Sequence, residues 1–180
     1  IIDGGPVGIG VESTIVDVSG EVPTLLRPGA VTMEMLRELL GHVEIDPAIL
    51  GPMKEGMRPK APGMKYRHYA PAAEMTLVEG GMEQVVDFIR EAAKKAEKEG
   101  KRVGIICTEE SKGLYPTGIL EVIGSRSHEE TVAHNLFAVL RKFDELQVDC
   151  IFSESFSGDR LGQAIMNRLC KAAGYHIVNV

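Results

Sequence analysis

From residue 74 to the C-terminus, strand-like and helix-like segments alternate. That alternation constrains the fold more than any single motif. "EMTLV" reads as a strand, and "MEQVVDFIREAAKKAEKE" as a helix with Val85, Val86, Ile89, Ala93 and Ala96 on one face and Gly100 after its end. "RVGIIC" and "ILEVI" read as strands. The next helix carries Val132, Leu136, Leu140 and Phe143 at helical spacing, and Ser127 with Glu130 predicts a capping box at its start. "VDCIFS", then "LGQAIMNRLCKAA" stopped by Gly174, then "YHIVNV" complete the series. Strands separated by helices form βαβ crossovers, and these build a parallel sheet covered on both faces. The expected fold class is therefore α/β, with a Rossmann-like parallel sheet over 74–180.

Residues 1–41 read differently. "VESTIVDV" and "VPTLLRPG" are strands joined by a turn, and Thr32 caps a short helix "MEMLRELL" that ends at Gly41. Residues 42–73 are rich in Pro, Gly and Met and lack a period, which makes them the expected interdomain linker. The chain starts at Ile1 inside an apparent strand. We therefore expect 1–41 to be the β-rich tail of a truncated α/β domain.

Charge sharpens the division. The net charge is −6, yet residues 52–71 sum to +4, from Lys54, Arg58, Lys60, Lys65 and Arg67 against Glu55. An acidic chain lacks the basic footprint of a nucleic-acid binder, which argues against direct tRNA or other RNA binding. A local basic segment suits either an anionic ligand or a solvated linker. The three cysteines have no C-x-x-C spacing, and Cys107 and Cys150 lie in apolar runs, so a reducing compartment and a cytoplasmic location are expected. No apolar run approaches the roughly 18 residues of a membrane span, and no signal peptide is visible.

Few motifs carry chemistry alone. "GGPVGIG" precedes a strand instead of a helix, so it does not read as a dinucleotide fingerprint. A turn beside a ligand and a plain turn both remain open there. Ser13 lies at the start of a strand, where a hydroxyl can meet a ligand or merely satisfy backbone. Arg27 in "LLRPG" is held extended by the following proline at a sheet rim, placed for phosphate, carboxylate or a surface ion pair. In "ESFSGDRLG", Ser155, Ser157 and Arg160 follow a strand end and precede a helix, so they can receive an anion, although Asp159 opposes one. The segment "APGMKYRHYAP" concentrates Tyr66 and Tyr69 with Lys65, Arg67 and His68 between prolines. There is no H-x-x-x-H, G-x-S-x-G or P-loop.

In order, "DGGPVGIGVESTIVD", "LLRPGAVT", "APGMKYRHYAP", "HNLFAVLRKFDEL" and "LGQAIMNRLCKAAG" resemble the threonylcarbamoyl-AMP synthase family in its long, two-domain form. The resemblance covers nearly the whole chain. It implies a catalytic domain (ending at 1–41), a linker (42–73) and a smaller Rossmann-like domain (74–180). It also implies the condensation of L-threonine, bicarbonate and ATP to threonylcarbamoyl-adenylate, with Mg²⁺ accompanying ATP. A separate tRNA threonylcarbamoyl-transferase complex then uses the product. By similarity, Ser13 contacts threonine and Arg27 contacts ATP phosphates. A linker tyrosine reaches the nucleotide, Tyr69 being favoured over Tyr66 because His-Tyr-x-Pro is the more general feature, with Lys65 and His68 as weaker candidates. The family's basic motif and its nucleotide segment are absent, so this polypeptide is expected to be inactive alone. The alternative reading is a non-enzymatic nucleotide-binding or regulatory module built on 74–180.

Overall fold

The computed structural model describes residues 5, 7–51, 59–62 and 70–180. Two sheets organise it. The first has three strands in the order β1-β2-β3: β1 Ile15–Asp17, β2 Thr24–Arg27 and β3 Glu44–Ile45. β1 and β2 are antiparallel, and β2 and β3 are parallel. Helix α1, Met33–Leu40, makes the crossover between β2 and β3. Thr32 caps it by accepting from the Met35 amide, and Gly41 closes it at φ 77°. Leu25, Met33, Leu36, Val43 and Ile49 form a small core beneath.

β3 lies in the stretch that lacks a period in the sequence. Two residues are too few to show alternation, and the strand exists because β2 offers it a partner. Asp46, 4 % exposed, then caps a 3₁₀ turn at Pro47–Ile49 and pairs with Lys60 at 3.1 Å. The start of the predicted linker is thus packed onto the first sheet.

The second sheet has five strands in the order β6-β5-β7-β4-β8, and every neighbouring pair is parallel. The strands are β4 Glu74–Glu79, β5 Val103–Thr108, β6 Ile119–Gly124, β7 Cys150–Glu154 and β8 Ile177–Asn179. The period of two assigns the faces. Val78, Ile105 and Cys107 point to helix α2, Met82–Lys98, which covers one side with Val85, Val86, Ile89, Ala93 and Ala96. Leu77 and Ile106 point the other way, to α3, Glu129–Leu146, and α4, Arg160–Ala172. Phe143, Leu136, Leu140, Ile151, Ile165 and Leu169 fill that second core, each fully buried side chain contributing about 1.5–3 kcal/mol. The expected α/β fold with helices on both faces is the one observed.

One local expectation fails. Ser127 and Glu130 do not form a capping box, because His128 is the N-cap of α3 and makes no side-chain cap bond. The Thr131 hydroxyl instead ties the first turn of α3 to the preceding segment, donating to the His128 carbonyl at 2.7 Å and accepting from the Ser125 amide at 3.0 Å. The Ser127 hydroxyl is drawn aside to Ser125 and the His128 ring.

Candidate functional site

Arg27 ends β2, and its guanidinium is held by backbone. Nε donates to the Ser13 carbonyl at 2.9 Å and Nη1 to the Pro62 carbonyl at 3.3 Å. Both acceptors are neutral. Among the described residues no carboxylate is ion-paired with Arg27, so its charge is oriented without being neutralised. Ser13 is exposed beside it. Thr14 ties the same segment to the chain after β2, donating to the Val31 carbonyl at 2.7 Å and accepting from its amide at 3.1 Å. Gly29 permits this approach: a β-carbon there would overlap the Glu12 carbonyl oxygen and the Thr14 amide.

The unit built on the five-stranded sheet, residues 74–180, packs beside the unit built on the three-stranded sheet and supplies the neighbours. Arg168 of α4, 2 % exposed, reaches Glu12 with Nε 2.5 Å from Oε2. Lys171, one turn on, is also buried. Burial first, then the charge of Arg168, lowers its amine to about 8, with Arg27 adding to the effect and Glu12 opposing it. The same helix face carries Asn167, which donates to the Ile49 carbonyl at 3.2 Å. Tyr175 beyond it donates to the Gly51 carbonyl at 3.2 Å. α4 therefore has two buried stripes. The apolar one, with Ala164, Ile165, Leu169 and Ala172, faces the sheet, and the polar one faces the segment around Ser13 and Arg27. Sequence reasoning missed Glu12, Arg168 and Lys171. The available signal was "NR..K" running beside the apolar period of α4.

Gly10 has a packing role. A β-carbon there would collide with the Ala133 and His134 carbonyl oxygens, so Gly10 lets the N-terminal segment lie against α3.

The loop after β7 does not present an empty anion site. The α4 end already has a carboxylate: Glu129 accepts from the Ser157 hydroxyl and from the Gly162 amide, both at 3.1 Å. Ser155 uses its carbonyl to accept from Arg126 at 2.9 Å. A groove of about 730 Å³ runs between α1 and the starts of α3 and α4. Glu34, Glu38, Glu129, Glu130 and Asp159 line it with Arg126 and Arg160, a field poorly suited to a polyphosphate.

β4 and β7 are adjacent and feed helices on opposite faces, the crevice where open α/β sheets usually take a ligand. Glu154, 1 % exposed, stands there. It accepts from Arg126 at 2.6 Å, from Tyr115 at 2.8 Å, from Thr108 at 3.4 Å, and by a short bond from Ser111. Burial and the Glu154 charge push the Tyr115 phenol well above its ordinary value, and burial pushes the Cys107 thiol to about 12. Arg126 also stacks 5.0 Å from the Phe156 ring.

Tyr66, Tyr69, Lys65 and His68 lie outside the described residues. Among the described residues no group of three or more His, Cys, Asp or Glu side chains converges to hold a metal, and no helix is long and apolar enough to cross a membrane.

Comparison with known proteins adds the remaining observations. The family profile described as threonylcarbamoyl-AMP synthase, C-terminal domain, matches residues 31–174. The threonylcarbamoyl-AMP synthase of Bacillus subtilis is 43% identical over 178 residues, covering 99% of this chain and 49% of that protein. That of Pyrococcus abyssi is 44% identical over 180 residues, covering 100% of this chain and 51% of its own length. The chain thus spans about half the length of these curated relatives. The crystal structure of P. abyssi Sua5 complexed with L-threonine superposes with a TM-score of 0.88 at 42% identity, over 99% of this chain and 50% of that one.

Proposed function

Because this chain belongs to the threonylcarbamoyl-AMP synthase family, we propose that it is the C-terminal portion of an enzyme that condenses L-threonine, bicarbonate and ATP to threonylcarbamoyl-AMP and pyrophosphate. On this reading, residues 1–41 close the catalytic domain, 42–73 form the linker with its first part packed onto the first sheet, and 74–180 are the Rossmann-like domain. The enzyme is a cytoplasmic nucleotidyltransferase, and a separate tRNA-modifying complex takes up its product.

The observation that carries the reading is Arg27. A guanidinium fixed by two carbonyls and unneutralised among the described residues suits the charge that builds on the departing pyrophosphate. Because its orientation is set in advance, little reorganisation is needed when that charge develops. Ser13, whose carbonyl holds Arg27, is exposed beside it, and its hydroxyl would contact the threonine part. The bound threonine of the P. abyssi structure supports that substrate class. Tyr69 or Tyr66, with Lys65 and His68, would cover the nucleotide and keep water from the hydrolysis-prone adenylate. Magnesium neutralises phosphate charge when bound. The described residues offer it no protein cage, so its ligands would be phosphate oxygens and water.

The test uses the polypeptide that joins this chain to the N-terminal half its relatives possess. Pyrophosphate release should require ATP, threonine and bicarbonate together, and this chain by itself should release none. Release that ignores threonine would overturn the proposal. The nucleotide-module alternative is disfavoured by Glu129, which already occupies the α4 amide end.

A further inference from the structure

We infer that Arg168 is a positioning residue for the substrate segment, acting through its buried ion pair with Glu12. The inference rests on the synthase reading above, because it assigns the second unit a part in that reaction. The pair joins residues 156 positions apart, one on α4 and one immediately before Ser13. Glu12 is 22% exposed at its side chain and Arg168 2%. With Arg168 buried and Glu12 mostly so, the pair is shielded from water and each charge depends on the other.

The strain of moving it would pass directly to the substrate groups. Glu12 is covalently next to Ser13. Residues 12–14 are clamped against Gly29 with no room for a β-carbon. The Ser13 carbonyl in turn sets Arg27 at 2.9 Å. Arg168 therefore holds Glu12, Glu12 fixes the path of 12–14, and that path aims Ser13 and Arg27. Asn167 and Tyr175 bond Ile49 and Gly51 beside the pair, so the seam is built by several contacts.

A purely structural role would lower stability and reduce turnover without regard to substrate. Positioning instead predicts a split between KM and kcat. In the full-length protein, Arg168→Met should raise the KM for threonine at least tenfold, and kcat should fall by less than it does in Arg27→Ala, because Arg27 is displaced but still present. Arg168→Lys, which keeps the charge, should recover at least half of that loss. Glu12→Gln should match Arg168→Met, and the double variant should be no worse than either single within twofold. If Arg168→Met fails to fold, the lysine variant and Glu12→Gln carry the same comparison. An unchanged threonine KM in the folded variants, or losses that multiply in the double variant, would overturn the inference. Wild type without threonine-dependent pyrophosphate release would sink the synthase reading and this inference with it. An active wild type with indifferent variants would sink only this inference.

Discussion

Two buried polar clusters invite comparison, and they are built on opposite plans. Around Glu154 every partner comes from the second unit: Thr108, Ser111, Tyr115 and Arg126. One guanidinium meets one carboxylate, and neutral hydroxyls complete the shell. Around Glu12 the partners come from both units, and Arg27, Arg168 and Lys171 set a positive neighbourhood. The first cluster borders the crevice where a Rossmann-like sheet commonly binds its ligand, beside a pocket of about 270 Å³ lined by Gly80, Arg126 and Ser155. The second lies at the seam, against the segment that carries Ser13 and Arg27. The lesson is that the carboxylate at the sheet edge is neutralised within its own unit, while at the junction the guanidiniums and the amine outnumber the one carboxylate they surround.

Breaking the first cluster should cost the fold. Glu154→Ala leaves Arg126 beside an emptied, buried site. It should destabilise this chain by about 3–5 kcal/mol in urea unfolding. A loss below about 1 kcal/mol would mean that the two clusters do not differ in kind. Breaking the second should cost chemistry. Arg27→Ala in the full-length protein should lower threonine-dependent pyrophosphate release at least tenfold, about 1.4 kcal/mol in the barrier. Its melting temperature should hold, because the lost partners are two carbonyls that water can serve. A large thermal shift with normal turnover would reverse the assignment.

The smallest effect concerns Lys171. Its folded value of about 8 lies below the ordinary 10.5. Between those values the unfolded chain holds a proton that the native state lacks. Native stability relative to a Lys171→Met variant should therefore rise with pH from about 8 to about 10.5, by at most about 1 kcal/mol per unit, and be flat below 8. Buried thiols and phenols act oppositely in the alkaline range, so only the difference between the two proteins is diagnostic. Paired unfolding curves across that range would settle the sign.

The second unit was legible because its elements are long and periodic. Val85 to Ala96 and Val132 to Phe143 announced their buried faces, and tertiary packing agreed. Short elements were not legible: β3 has two residues and owes its existence to β2. The capping box expected at α3 does not form because the Ser127 hydroxyl bonds Ser125 and the His128 ring, contacts that a spacing rule cannot show. Of the candidate site, Arg27 was readable from the proline after it. Its partners were not, since Arg168 lies 141 positions away and a polar residue in a helix reads as solvent-exposed by default. Glu129 at the α4 end was equally hidden, because it approaches from a different helix.

One contact reaches further than its length suggests. Pro62 is tied to Arg27, and Ala72 is tied to Asp144 of α3 at 2.7 Å. Only nine residues separate these anchors, and they include Lys65, Tyr66, His68 and Tyr69. At roughly 3.3–3.6 Å per residue, no side chain among them can stray more than about 30 Å from either anchor. Any ligand held at the Arg27 guanidinium is therefore within covalent reach of these aromatic and basic groups of the same chain, and needs no second molecule to bring them.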